Sequence, residues 1–523
     1  MSSWFPSLSS CFLLLCPRPA FTDAPSRNGP KDRSRAKQNA WKTILLLFLM
    51  PSCGAIKALG QETSDAQQDA IRRLETRMDE LKSQMAQIQA ELDAINGKKL
   101  PATGSIQSTP MPSVFHLSPE QQHTAVGNAT SNHQTFAQDE EDAPRLYNAP
   151  LEADYPGFFH LPNTQTILRI DGSARTDFTY DPRTPGLTDA FVVSSIPAPS
   201  LSGPSNFSAS IRGSRVSADF RIPVTDDNIA RTFVQLDFFG ANGATAPRLR
   251  HFYGQLDNIL VGQTFTNFMD PDAFADSLDL QGANSAISAR VPQGRYSFPL
   301  GNGASASFSV EVPSSNINFS INGAPAVPFT PAPDGTIKFR NEWERGHIQL
   351  ASVFRNLGAQ LPNGSRESVF GWGVNGTSEM EVYGKDSVVV QLAYGHGISR
   401  YIGDTAPLNL DAAPRTPTNL SLEALPLFAT YGGYQHHWIP GVRSSATFAF
   451  VQVQNTAFQP ATTYHKGAYS SGNLIWNAVG SLDLGAEFIY GWVKEKNGVH
   501  ANAPRIQFTG RYTFVKLHPK EEE

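Results

Sequence analysis

The sequence predicts an all-β transmembrane barrel of about 16 antiparallel strands, preceded by an N-terminal α-helical coiled coil. Three observations carry that prediction. A basic stretch followed by an apolar run marks the chain for export, a heptad-spaced segment comes next, and from residue 165 the hydrophobic period falls to two and stays there to residue 514. The balance of 42 Lys and Arg against 47 Asp and Glu gives a net charge of −5, so nothing invites nucleic acid.

Residues 1–60 read as a signal peptide with a long N-terminal extension. Lys31, Arg33, Arg35, Lys37 and Lys42 precede the apolar run Thr43–Met50, and Ala58-Leu59-Gly60 satisfies the small-x-small rule for cleavage before Gln61. Met50-Pro-Ser-Cys53 is a competing lipoprotein box, weakened by its proline. The run is several residues too short to cross a bilayer as a helix. Cys11, Cys16 and Cys53 all lie in this leader, so the exported body expects neither disulfides nor thiol chemistry.

Residues 61–97 carry Ile71, Leu74, Met78, Leu81, Met85, Ile88, Leu92 and Ile95 at alternating steps of three and four. That is an a/d seam, stopped by Asn96-Gly97. At roughly 30 residues the helix would be about 45 Å long and marginal alone. An amphipathic helix lying on its own domain would show a wider stripe, so oligomerisation is the expectation. Met85 and Leu92 at a, with Ile88 and Ile95 at d, favour three or more strands. Residues 98–164, rich in Pro, Ser, Thr, Gln and Asn, read as a flexible linker, although Tyr155–Phe159 could dock onto the strands C-terminal to it.

Residues 165–514 alternate. In Leu168–Tyr180 the even positions are mostly apolar, while Arg169, Asp171, Arg175 and Asp177 fall on the other face. The same alternation returns at 215–222, 339–345, 387–394, 445–454 and 506–514. Asp334-Gly335, Asn363-Gly364, Asn375-Gly376 and Asn497-Gly498 are expected to be the turns between strands. A soluble sandwich or a membrane barrel could both be built this way. The barrel is favoured because Arg and Asp share the face opposite Phe, Val and Leu, which a wide lumen requires. Aromatics also gather at strand ends, as at Phe370, Trp372, Tyr431, Tyr434, Trp438, Tyr490, Trp492, Tyr512 and Phe514, where interface girdles belong. Residues 515–523 form a tail after Phe514, so the last aromatic is not terminal.

The most specific stretch runs from residue 245 to 300. Gly262-Gln-Thr-Phe-Thr-Asn-Phe-Met-Asp270 is followed by Leu278-Asp-Leu-Gln-Gly282 and by Arg295-Tyr-Ser297. Here the chain resembles the DcaP-like outer-membrane porin family, with Phe265 standing where members often carry Trp. The resemblance extends over the leader, the coil and the barrel in order. It implies a homotrimer of sixteen-stranded, porin-like barrels in the bacterial outer membrane, with the coiled coil in the periplasm. It also implies a channel for small, often anionic solutes such as dicarboxylates, rather than an enzyme.

The residues suggest how. Asp270, Asp272, Asp276 and Asp279 come after Thr264 in one long loop, while Arg215, Arg221, Arg248, Arg250, Arg290 and Arg295 flank it on strands. Folded into the lumen, the loop would set carboxylates against arginines across a constriction, and the arginines would offer anions bidentate stations. The plainer reading is that these arginines pair with Asp219, Asp237 and the loop carboxylates. No cofactor or metal is expected: the aspartate cluster lacks the central Gly and terminal Glu of a calcium loop, and His436-His437 suits a girdle or loop better than a metal. Gly395-His396-Gly397 reads as a strand-end kink. Partners expected are outer-membrane lipid and small anionic solutes, and the coil or linker has room for a peptidoglycan contact that no residue marks. The different-class alternatives are a phospholipase-like barrel hydrolase and a surface-attached soluble β-sandwich.

Overall fold

The computed structural model describes residues 157–199, 205–224 and 228–514. The expected signal peptide, the coil at 61–97, most of the linker and the tail at 515–523 lie outside the described residues.

Sixteen strands form the wall. They are β1 (Ile167–Asp181), β2 (Arg215–Pro223), β3 (Ile229–Phe239), β4 (Thr245–Leu256), β5 (Ile259–Phe265), β6 (Arg290–Gly301), β7 (Ala304–Glu311) and β8 (Asp334–Trp343), then β9 (Gly346–Gln360), β10 (Arg366–Tyr383), β11 (Asp386–His396), β12 (Pro426–Ile439), β13 (Val442–Val453), β14 (Tyr464–Val479), β15 (Leu482–Glu495) and β16 (His500–Thr513). Each pairs antiparallel with the next. The sheet closes because β1 pairs with β2 over Ile167–Ser173 and with β16 over Ser173–Tyr180. Closure leaves no edge, which is the condition for strands in lipid. It also overturns the sandwich alternative, which needs two separate sheets. Asn206–Ser210 extends the wall beside the upper half of β1, and Phe159–His160, inside the expected linker, pairs with Ile167 and Leu168.

The period-two alternation decides what each face meets. Phe178, Phe252, Leu350, Leu392, Phe448 and Phe508 stand on the outer face and are exposed. The intervening positions, among them Arg175, Asp219, Gln235, Gln391 and Gln507, point inward and are buried. A soluble protein would reverse this, so the exterior is a lipid-facing surface.

One rim carries short turns such as Asn302-Gly303, where φ values of 53° and 78° give the left-handed pair that a tight hairpin demands. The opposite rim carries the long connections 182–214, 266–289, 312–333 and 397–425. Two expected turns are corrected. Asp334-Gly335 opens β8, with Asp334 held inward by Arg355 at 3.1 Å, and Asn375-Gly376 lies in mid-β10, where Asn375 donates to the Phe268 carbonyl at 3.0 Å. Tyr431 is corrected as well. It belongs to no girdle but points inward and donates to the Ala273 carbonyl. In each case a polar group inside the barrel is bound by an inserted loop or a neighbouring strand.

Candidate channel lumen

The loop 266–289 leaves β5 and folds inside the barrel. Its entry is fixed at Gly262, whose φ is 131° and where a Cβ would lie 2.3 Å from the Phe252 carbonyl oxygen. Phe268, Met269 and Phe274 are buried, packed on an inner wall of mostly small side chains, and Leu278 is buried against Ile475. Gly433 and Gly485 make that approach feasible, since added Cβ atoms would lie 2.9 Å from Ala275 and 2.8 Å from Leu278. Glu487 of β15 then anchors the loop, accepting the Ser277 hydroxyl at 2.9 Å, the Leu278 amide at 2.7 Å and the Asp279 amide at 3.0 Å.

Three of the four loop carboxylates, Asp270, Asp272 and Asp276, meet side chains of the far wall, and Asp279 meets loop backbone. Asp270 accepts Arg340 at 2.9 Å, His347 at 2.8 Å and Thr377 at 2.6 Å, and Asp272 pairs with Arg340 at 2.6 Å. Asp276 takes Arg443 at 2.8 Å and Gln435 at 3.0 Å. Asp279 accepts the Phe191 amide at 3.0 Å and the Gln281 amide at 3.3 Å. Arg340, His347 and Arg443 were not singled out from the sequence. The alternation within Phe339–Arg345 puts Arg340 on the inner face, but nothing local says which acid it will meet.

On the near wall the inner faces of β2, β3, β4 and β6 carry Arg215, Arg221, Arg231, Arg248, Arg250, Arg290 and Arg295, and the carboxylates on these four strands are Asp219 and Asp237. Asp219 is shared by Arg221 at 2.9 Å and Arg231 at 3.1 Å, and Asp237 by Arg248 at 2.6 Å and Arg250 at 3.3 Å. Arg231 was missed by sequence reasoning, although alternation in Ile229–Phe239 was the available signal. A bulge concentrates the charge. The β3–β4 register steps from Gln235↔His251 to Leu236↔Leu249, so Arg250 is an extra residue, and both it and His251 are buried. Arg290 lies over the Phe265 ring at 4.8 Å and donates to His251 Nε2 at 3.3 Å, while Arg295 binds Gln293 at 3.0 Å and the Phe265 carbonyl. Among the described residues, neither of these two forms an ion pair. On β1, Arg169 pairs with Asp171 at 2.7 Å, and Arg175 with Asp177 at 2.9 Å and the Leu278 carbonyl.

Two further rim loops clasp the inserted one. Ser194 donates its amide to Asp404 at 2.7 Å, and Tyr464 gives its hydroxyl to the same carboxylate at 2.8 Å. Tyr401 stacks edge-on against Phe268 at 5.5 Å, and Ile402 bridges to Ile287. Asp279 and Asp404 both lie in loops, outside the strands. Burial pushes each carboxyl up to about 6, against hydrogen bonds from neighbouring amides that pull down.

A closed barrel with an apolar exterior, a charged interior and a loop folded inside it is the architecture of a porin-like outer-membrane channel protein. The chain belongs to the DcaP outer membrane protein family, which matches residues 159–514, and this places it in the outer membrane. Its fold is similar to the crystal structure of the outer membrane channel DcaP of Acinetobacter baumannii, at a TM-score of 0.60 and 22% identity over 68% of this chain and 99% of that one. Similarity is lower to OmpT of Vibrio cholerae (TM-score 0.44, 11% identity, 68% and 99% covered) and to the anion-selective porin from Comamonas acidovorans (TM-score 0.43, 11% identity, 67% and 100% covered). No curated protein matches the chain.

Proposed function

We propose that the protein is a trimeric, water-filled outer-membrane channel for diffusion of small anionic solutes, dicarboxylates among them, and is not an enzyme. The observation that carries this is the imbalance on β2, β3, β4 and β6, seven arginines against two aspartates, while Asp270, Asp272 and Asp276 of the loop are paired on the far wall. A field of one sign in a narrow, poorly screened passage concentrates counter-ions, and guanidinium forks hold carboxylates bidentately yet exchange them. The rim of long loops faces outward in this reading and the rim of short turns faces the periplasm, where the coil at 61–97 would join three barrels.

The test is planar-bilayer recording of the unboiled oligomer under a salt gradient. Current steps in threes and a reversal potential on the anion side are expected. Joint replacement of Arg215, Arg250, Arg290 and Arg295 by Ala should move the reversal potential toward cations. A reversal potential that the replacement leaves unchanged would overturn the assignment of those arginines.

A further inference from the structure

The outer wall carries a second pattern that solute passage does not use. On β13–β16 the outward positions are the even ones, apart from Tyr464 ahead of a register shift at the start of β14, since Ala449, Val451, Tyr469, Ile475, Ile489 and Arg505 point inward. Reading those even positions across all four strands finds no Asp or Glu. Lysine occurs twice, at Lys466 and Lys494, both at the rim of long loops.

The register brings them together. Gln452 is the cross-strand partner of Lys466, Lys466 of Lys494, and Lys494 of His500, so four neighbouring strands present hydrogen-bonding side chains in one row. Adjacent strands are about 4.8 Å apart, so the two ammonium groups can reach a single phosphate. Beyond His500, Arg183 of the 182–214 loop reaches the same face, donating to Asn502 at 2.7 Å. Directly beneath the row lie Trp492 and Tyr490, whose amphipathic rings suit the lipid–water interface. The Lys494 side chain climbs toward the rim, its Cε 3.9 Å from where a Cβ on Gly498 would stand, as a snorkelling lysine does. Like charges directly opposite each other across a strand pair repel. Among the described residues neither lysine has a carboxylate partner, and Glu495, the next carboxylate along β15, falls at an odd position and accepts the Asn497 side-chain Nδ2 at 3.1 Å. The row is therefore unbalanced until an anion lies across it.

We propose that Lys466, Lys494 and His500, with Arg183, form a docking surface for the phosphate groups of a phosphorylated glycolipid in the leaflet at the long-loop rim. The assignment rests on the barrel being embedded with that rim outward. The apolar band below would hold the acyl chains and the two lysines would bridge a phosphomonoester dianion, which a zwitterionic headgroup could not balance.

The experiment is native mass spectrometry of the full-length protein in detergent, titrated with diphosphorylated lipid A and with the same lipid enzymatically dephosphorylated. Wild type should prefer the phosphorylated form, and the double variant Lys466→Ala/Lys494→Ala should bind it about thirtyfold more weakly, roughly fivefold per lysine. Lys466→Arg/Lys494→Arg should restore binding. Equal affinity for the two lipids, an unchanged affinity in the Ala double variant, or equally tight binding of phosphatidylglycerol would overturn the proposal. Loss of trimer heat stability with lipid binding intact would do so too, by assigning the row to a neighbouring barrel. Channel current in the double variant should match wild type. A failed lipid result with normal current thus separates this proposal from the channel reading.

Discussion

Arg290 shows how one side chain can hold charge in a lumen without a counter-charge. Its guanidinium plane rests on the Phe265 ring and its Nε donates to a histidine nitrogen, so orientation comes from stacking and a neutral acceptor. Arg221, on β2, gives two of its donors to Asp219. A passing carboxylate therefore finds the fork of Arg290 open to exchange and that of Arg221 already engaged. Arg290→Ala is expected to weaken block of chloride current by a short dicarboxylate about tenfold or more, the worth of one hydrogen bond to a charged group. Arg221→Ala should change it by less than about twofold, because Asp219 already holds its Nε and Nη2 as a bidentate pair. Arg290→Lys keeps the charge but loses fork and stacking, and should fall between them. The measurement is the apparent affinity of the blocker in single-channel recordings. Equal effects of the two Ala variants would remove the special role given to Arg290.

At the scale of elements, the inserted loop is held by contacts that no local pattern announces. Ser277 meets Glu487 and Asp276 meets Arg443, partners far apart in the chain. Strand alternation was legible because it is a property of neighbouring residues; the polar face of Leu168–Tyr180 is inward as the period-two spacing requires. The presence of a long acidic loop was legible too, from Asp270 to Asp279. Its destination was not, because Arg340 and Arg443 look like any other inward arginines until the barrel closes. The turn readings failed at Asp334-Gly335 and Asn375-Gly376 for a related reason: inside a barrel, Asn, Asp and Gly serve lumen packing as well as turns. Loop docking also carries a sign in pH. Asp279 and Asp404 titrate near 6 when docked, against an ordinary value of 3.8, so the docked state holds protons that a released, solvated loop would shed. That advantage is complete below about pH 4 and is lost as pH rises through about 6. Amide exchange in 266–289, corrected for intrinsic rate, should accordingly be slower at pH 5 than at pH 7.5. Asp404→Asn should flatten the difference, and faster corrected exchange at pH 5 would reverse the argument.

For the whole molecule, the governing fact is that inside and outside have exchanged their usual chemistry, and adjacent residues of one strand test it most sharply. Thr447 and Phe448 sit in the middle of β13, Thr447 inward and 6% exposed, Phe448 outward and 58% exposed. By the ordinary rule for soluble proteins, an arginine would be harmful at the buried threonine and nearly free at the exposed phenylalanine. In a membrane-embedded barrel the order inverts. An arginine on the lipid face near the bilayer midplane costs about 2–4 kcal/mol, while the lumen already accommodates guanidinium groups among polar partners. Phe448→Arg should therefore lose about that much stability in denaturant titrations of the barrel refolded into vesicles, and Thr447→Arg distinctly less. The two variants add the same charge to the same strand, one residue apart, so net charge and strand propensity cancel in the comparison. What remains is the solvent each face meets. If Thr447→Arg proved the more costly of the two, the exterior would have to be facing water, and the lipid-facing wall, the girdles and the phosphate-binding row would all lose their footing together.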